Sequence, residues 1–160
     1  MITIGFFSNN SFMTNVIKWF TGSPVNHCAI GFVYNGKPSW LEAGTSGVAI
    51  VDRGYLSGLY AEFQVIPNIQ NEVQLAQKKV GQPYSDLTFF GIAIITVFKW
   101  FGIKINNPFY EKSAEICSEF IIEIDTSFLI PEFDRIDPAN VSPGDLLKIC
   151  ESGKSFEKLL

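Results

Sequence analysis

The sequence predicts an α+β protein. Three observations carry that prediction: an Asn35-Gly36 pair between two alternating apolar runs, strand-like segments gathered before Pro67, and a helical stripe around Cys117 that comes well after them. Asn-Gly between such runs is the strongest short-range hairpin signal, because both residues tolerate the positive φ of a type I′ turn. Strands first and helices after favour segregated layers over βαβ alternation.

Taken in order, Asn10-Ser11 can cap a short amphipathic helix near Met13–Phe20, which Thr21-Gly22-Ser23-Pro24 stops. Cys28–Tyr34 and Ser39–Ala43 form the hairpin. Gly44–Gly47 turns the chain into a third strand over Val48–Val51, and Tyr60–Ile66 reads as a fourth, ended by Pro67. Asn71–Val80 reads as a helix and Gly81-Gln82-Pro83-Tyr84 breaks it. Asp86–Phe101 reads as a mostly apolar helix. Ser113–Asp125 is another, with Cys117, Phe120, Ile121 and Ile124 at i, i+3, i+4, i+7, one face of a helix. Val141–Leu146 is a turn leading into a final short element. The Gly5-Phe6-Phe7 word carries no signal of its own.

No repeat, low-complexity tract or linker divides the chain, and 160 residues suit one domain over 1–160. Hydrophobic residues are 47% and charged residues 18%, a balance that excludes a disordered segment. The net charge is −4, and the 12 basic residues form no block, which argues against a phosphate-tracking nucleic-acid binder. The apolar run from Leu87 to Trp100 falls short of the ~20 residues that span a bilayer. The opening residues lack a charged, signal-peptide-like region. A cytoplasmic location is the expectation, with delivery elsewhere or association with a virion left open. Three cysteines at irregular spacing suggest neither a disulfide framework nor a zinc site. The thiol chemistry read below needs no metal or organic cofactor, and none is expected.

The single histidine, His27, is where any imidazole chemistry must reside. Alternation puts His27, Ala29, Gly31 and Val33 on one face of their strand, and Cys28, Ile30, Phe32 and Tyr34 on the other. The second face reads as core, and the small residues of the first would let a helix approach closely. With Asn35-Gly36 as the turn, Tyr34 pairs with Lys37, Ala29 lies opposite Glu42 and His27 opposite Gly44. Glu42 then shares the His27 face one diagonal step away, within reach of a long side chain. It can hold one ring nitrogen and leave the other free as a base. A one-residue slip would flip Glu42 away. The competing reading is a surface His–Glu pair without a role.

Cys28 points to the opposite face and reads as a core thiol. Cys150 has no polar company and reads as inert. Cys117 stands at the start of its predicted helix, where free N–H groups and the helix dipole favour a thiolate and can bind an oxyanion. The same stripe equally allows a plain core residue. Glu119 and Glu123 fall on the polar side of that helix, and Asp52 and Asp86 read as caps or solvated groups.

The words Asn26-His27-Cys28-Ala29-Ile30-Gly31, Trp40-Leu41-Glu42-Ala43 with Gly47-Val48, Gly81-Gln82-Pro83-Tyr84 and Cys117-Ser118-Glu119-Phe120-Ile121 resemble, in that order, the circularly permuted papain-like hydrolases of the NlpC type. Ser142-Pro143-Gly144-Asp145-Leu146 adds to the likeness. The resemblance implies a permuted papain-like fold, with the His strand before the Cys helix. It implies Cys117 as nucleophile, His27 as general base and Glu42 as the residue orienting the imidazole. Tyr84 and Ser118 are implied as weaker substrate or oxyanion contacts. Asn26 departs from the basic or hydroxylated residue that often precedes the histidine in that group.

The expected activity is a thiol hydrolase acting on an amide, first of all a cell-wall (peptidoglycan) peptide, or on an ester. The permuted fold is also similar to that of lecithin–retinol-type acyltransferases. The apolar Leu87–Phe101 region raises a second expectation, a lipid-directed acyl hydrolase or acyltransferase touching a membrane. A third is a binding or virion structural module without turnover.

Overall fold

The computed structural model describes residues 1–8, 22–44, 46–83, 98, 101–103, 117–134 and 136–160. Within them the chain is α+β, with one six-stranded antiparallel sheet and three α-helices. The strands are β1 (Thr3–Phe7), β2 (His27–Tyr34), β3 (Lys37–Gly44), β4 (Gly47–Asp52), β5 (Leu59–Val65) and β6 (Phe156–Lys158). The helices are α1 (Gln70–Ala76), α2 (Cys117–Ile124) and α3 (Pro143–Ser152), with single 3₁₀ turns at Gln77–Lys79 and Pro138–Asn140. The sheet runs β4-β3-β2-β1-β5-β6.

The hairpin folds as its turn chemistry dictates. Asn35 and Gly36 take φ of 48° and 78°, the left-handed pair a type I′ turn needs. Tyr34 pairs with Lys37, and the register continues without slippage to Ile30 opposite Leu41. Gly47 turns the chain with φ of 98°. A Cβ there would also strike the Gln82 carbonyl, because the chain after the 3₁₀ turn docks on β4: Val48 N–H donates to Gln82 O at 2.9 Å and Gly81 N–H to Val48 O at 2.8 Å.

The strand at the centre of the sheet, β1, is the one that the sequence does not announce. It pairs with β2 on one side and β5 on the other, and all five of its residues are buried. A strand covered on both faces has no apolar–polar alternation, so Gly5-Phe6-Phe7 reads as a short apolar word and no more. Three-residue β6 is likewise too short to carry a pattern.

The two sheet faces differ. One carries the principal core, where Phe6, Cys28, Ile30, Leu41 and Phe63 meet Cys117, Phe120, Ile121 and Leu146 from α2 and α3. The other holds a smaller cluster of Phe7, Ala29 and Trp40. Here the small residues make room for an indole, a correction to the expected close approach of a helix. A Cβ on Gly5 or Gly31 would lie 2.6 and 2.8 Å from the Trp40 ring. Trp40 Nε1–H donates to the Arg53 carbonyl at 3.0 Å, and the Arg53 guanidinium stacks 4.0 Å from the ring centroid while pairing with Glu62.

Helix α3 begins with a capping box. Ser142 Oγ accepts from Asp145 N–H, and Asp145 accepts from Ser142 N–H, satisfying two otherwise orphaned donors. Among the described residues no helix is long and apolar enough to cross a membrane. The expected helices at 13–20 and 86–101 lie outside the described residues, except for Phe98 and Phe101, which are exposed.

Candidate active site

His27 opens β2, opposite Phe7 of β1. The Phe7 ring lies 6.0 Å from the imidazole and Trp40 backs Phe7 edge-on at 5.2 Å, a packed wall that limits the ring's rotation. Glu42 is on the neighbouring strand β3. Its Oε2 is 2.7 Å from His27 Nε2, the contact that hairpin alternation predicts. Gly44 helps: a Cβ there would press on the Glu42 carboxylate at 3.3–3.5 Å. Both side chains are largely shielded, at 14% and 8% exposure, so their attraction is only weakly screened.

The imidazole also interacts with Cys117. The Cys117 thiol hydrogen-bonds the His27 side chain, and it also hydrogen-bonds both the thiol and the backbone of Cys28. Cys117, His27 and Glu42 therefore form a continuous hydrogen-bonded chain from α2 through β2 to β3. Cys117 is the first residue of α2 as described, and it is buried in the principal core at 4% exposure.

The electrostatics follow from these contacts. Burial by itself would lower the His27 pKa, but hydrogen bonds to Cys117 and Glu42 and their negative charge outweigh it and raise the value to about 10. Cys117 is held well below an ordinary thiol, first by its hydrogen bond with Cys28 and then, against the cost of burial, by the bond and charge of His27. Cys28 moves the opposite way: burial and the neighbouring Cys117 push it well above the ordinary value. Burial, with Glu132 and Glu151 nearby, raises Cys150 too. One thiolate beside one imidazolium is the charge state these shifts favour at neutral pH.

Ser118 is fully buried, and its hydroxyl donates to Val141 O at 2.6 Å. That bond anchors α2 to the turn before α3, so a contact with substrate would fall to the backbone of Ser118. Tyr84 and residues 113–116 lie outside the described residues. Glu119, expected on a polar face, is 2% exposed: α2 is covered nearly all round, so its polar stripe does not face water. Glu123 meets Lys79 at 3.1 Å. Asp52 is an exposed residue at the end of β4, and Asp86 is outside the described residues. The Cys28–Cys117 contact is the site feature that sequence reading missed. Its signal was present, since alternation turned Cys28, and the helical stripe turned Cys117, toward the same core.

No protein-family model matches the chain, and no curated protein matches it. Among solved structures it is similar to the metalloprotein yiiX from Escherichia coli O157:H7, DUF1105, with a TM-score of 0.63 and 16% identity over 99% of this chain and 94% of that one. That likeness shows a shared fold. It also corrects the resemblance to NlpC-type hydrolases, because the whole-chain match is to a different family. The words that suggested that group are each only a few residues long, and local site chemistry can satisfy them without common membership.

Proposed function

We propose that this protein is a thiol hydrolase with Cys117 as nucleophile, His27 as acid and base, and Glu42 as the residue that orients His27. The observation that carries the reading is the hydrogen-bonded chain Cys117–His27–Glu42, closed at one end by the 2.7 Å Nε2–Oε2 contact. A site of this composition attacks a carbonyl. The Cys117 thiolate adds to an amide or ester carbon, and backbone N–H groups at the start of α2 bind the oxyanion. His27 protonates the leaving group, then deprotonates the water that releases the acyl group from sulfur. Glu42 engages Nε2 and so fixes the orientation of the ring beside the Cys117 thiol. The order of His strand before Cys helix is that of a permuted papain-like arrangement, and we extend the reading to that fold type.

The structural neighbour, yiiX, is a metalloprotein. Among the described residues of this chain, no three His, Cys, Asp or Glu side chains are grouped to hold a metal ion.

Alkylation of each cysteine by iodoacetamide between pH 4 and 9, read by mass spectrometry, tests the reading. Cys117 is expected to react well below the ~8.5 of a free thiol, with Cys28 and Cys150 lagging. In His27→Ala, checked for folding by circular dichroism, that advantage should vanish. Three equally slow thiols, indifferent to His27, would instead favour a binding module.

One observation favours acyl-lipid substrates among esters: Phe98, Phe101 and Ile103 are exposed at 39%, 76% and 47%. Flotation with liposomes of neutral and anionic composition tests this. Binding to neither leaves soluble amides or esters as the substrate class.

A further inference from the structure

The mechanism leaves two buried thiols unused, Cys28 and Cys150. Cys28 is fully buried in the principal core, on the β2 face that receives α2. It is nonetheless in contact with Cys117: the two thiols share a hydrogen bond, and the Cys28 backbone adds a second. Both side chains lie in the same core, on two elements that β2–α2 packing holds together. Cys150 is also buried, but it acts on Cys28 only through its charge, with no hydrogen bond between them.

We propose that Cys117 and Cys28 form a reversible oxidation site, in which a hydroperoxide converts the pair to a disulfide and so switches the nucleophile off. The proposal rests on the reading of Cys117 as a reactive thiolate. In the first step the Cys117 sulfur attacks the peroxide oxygen. An S–O bond forms, the O–O bond breaks and hydroxide leaves, giving a sulfenic acid. In the second step Cys28 gives up its proton and its sulfur attacks the sulfenyl sulfur. The S–S bond forms, the S–O bond breaks, and the departing hydroxide takes up a proton as water. The pair loses two electrons and the peroxide gains them. A small-molecule thiol or dithiol reverses the reaction by exchange. The division of labour follows from ionisation: the acidic thiol meets the oxidant, and the thiol kept protonated by burial resolves it. Without a resolving partner, a sulfenic acid at Cys117 would proceed to the irreversible sulfinic acid.

The test uses the wild-type chain. Iodoacetamide labelling of Cys117 at pH 6 is measured first. Dilute hydrogen peroxide is then added, the protein is digested without reduction, and the cysteine peptides are mapped. The expected result is a Cys28–Cys117 linked peptide, loss of labelling at Cys117, and full return of labelling after dithiothreitol. Cys28→Ala should give Cys117 sulfinic acid in place of the link and lose the return. Labelling at pH 6 followed by oxidation without a Cys28–Cys117 link, or with a link to Cys150, overturns the switch and leaves the hydrolase reading standing. No labelling at pH 6 overturns both. The linked peptide is read on wild type, so the outcome does not depend on how well the variant folds.

Discussion

His27 and Cys117 set the pH behaviour. The His27 pKa is raised from 6.5 to about 10. The stabilisation that its charge contributes is thus complete below 6.5 and is lost as pH rises through about 10. Cys117, whose value is lowered, contributes in the opposite sense: its share is complete above the ordinary thiol value and is lost as pH falls through the folded one. Between these limits the pair stays charged. Cys117 alkylation should therefore hold level through neutrality and change only near pH 10, when His27 loses its proton. Glu42→Gln removes a negative partner of the ring and should move that upper break to lower pH in the same assay extended to about pH 11. His27→Ala has a separate cost. It strands the Glu42 carboxylate at 6% exposure, which should cost about 1–3 kcal/mol in urea unfolding. Further along the His27 face of β2, Gly31→Ala would drive a methyl into Thr3 and Trp40 and should cost about 1–3 kcal/mol. The His27–Glu42 contact was legible from alternation and turn type. The space under Trp40 was not, because small residues announce that something approaches without saying what.

Among the elements, legibility followed periodicity. The hairpin, β4, β5, α1 and the helix around Cys117 each carry a period or a turn signal, and the chain folds them close to the positions those signals give. Strand β1 and the Glu119 face of helix α2 carry no such signal. Burial on both faces erases the alternation of β1, and near-complete burial of α2 puts Glu119 inside, although its helical position looks polar. Helix α3 was expected only as a short element after a turn. Its start is fixed by Ser142 and Asp145, so Ser142→Ala should destabilise the protein by about 1 kcal/mol, measured by urea unfolding. Lys79→Ala, which removes a half-exposed ion pair with Glu123, should change stability by less than about 1 kcal/mol.

For the molecule as a whole, the site exists only when distant parts of the chain meet. His27 and Glu42 come from adjacent strands, whereas Cys117 arrives on a helix from much later in the sequence. Its placement needs the principal core to be complete. Phe156 on β6 packs with Phe133 at 5.9 Å in that core, and Phe156→Ala should cost about 3–5 kcal/mol. Trp40 sits in the other cluster, across the sheet. With Trp19 and Trp100 replaced by Phe, its fluorescence should shift in urea by the same amount as far-UV circular dichroism, as one cooperative unit requires. The likeness to a fold shared at 16% identity fits this scale: topology and packing order persist where the individual words do not.

The contact between the Gly81-Gln82 backbone and Val48 bears on how copies of this molecule behave toward one another. An open six-stranded sheet has two outer strands, and each offers a row of unsatisfied backbone groups to any passing chain. Here β4 is one of them, and both polar groups of Val48 that point outward are already taken by the docked segment. The other outer strand, β6, is three residues long, too brief a template for stable strand addition. Gly47 therefore does more than turn the chain: lacking a side chain, it lets the Gln82 carbonyl come close enough to occupy the start of that edge.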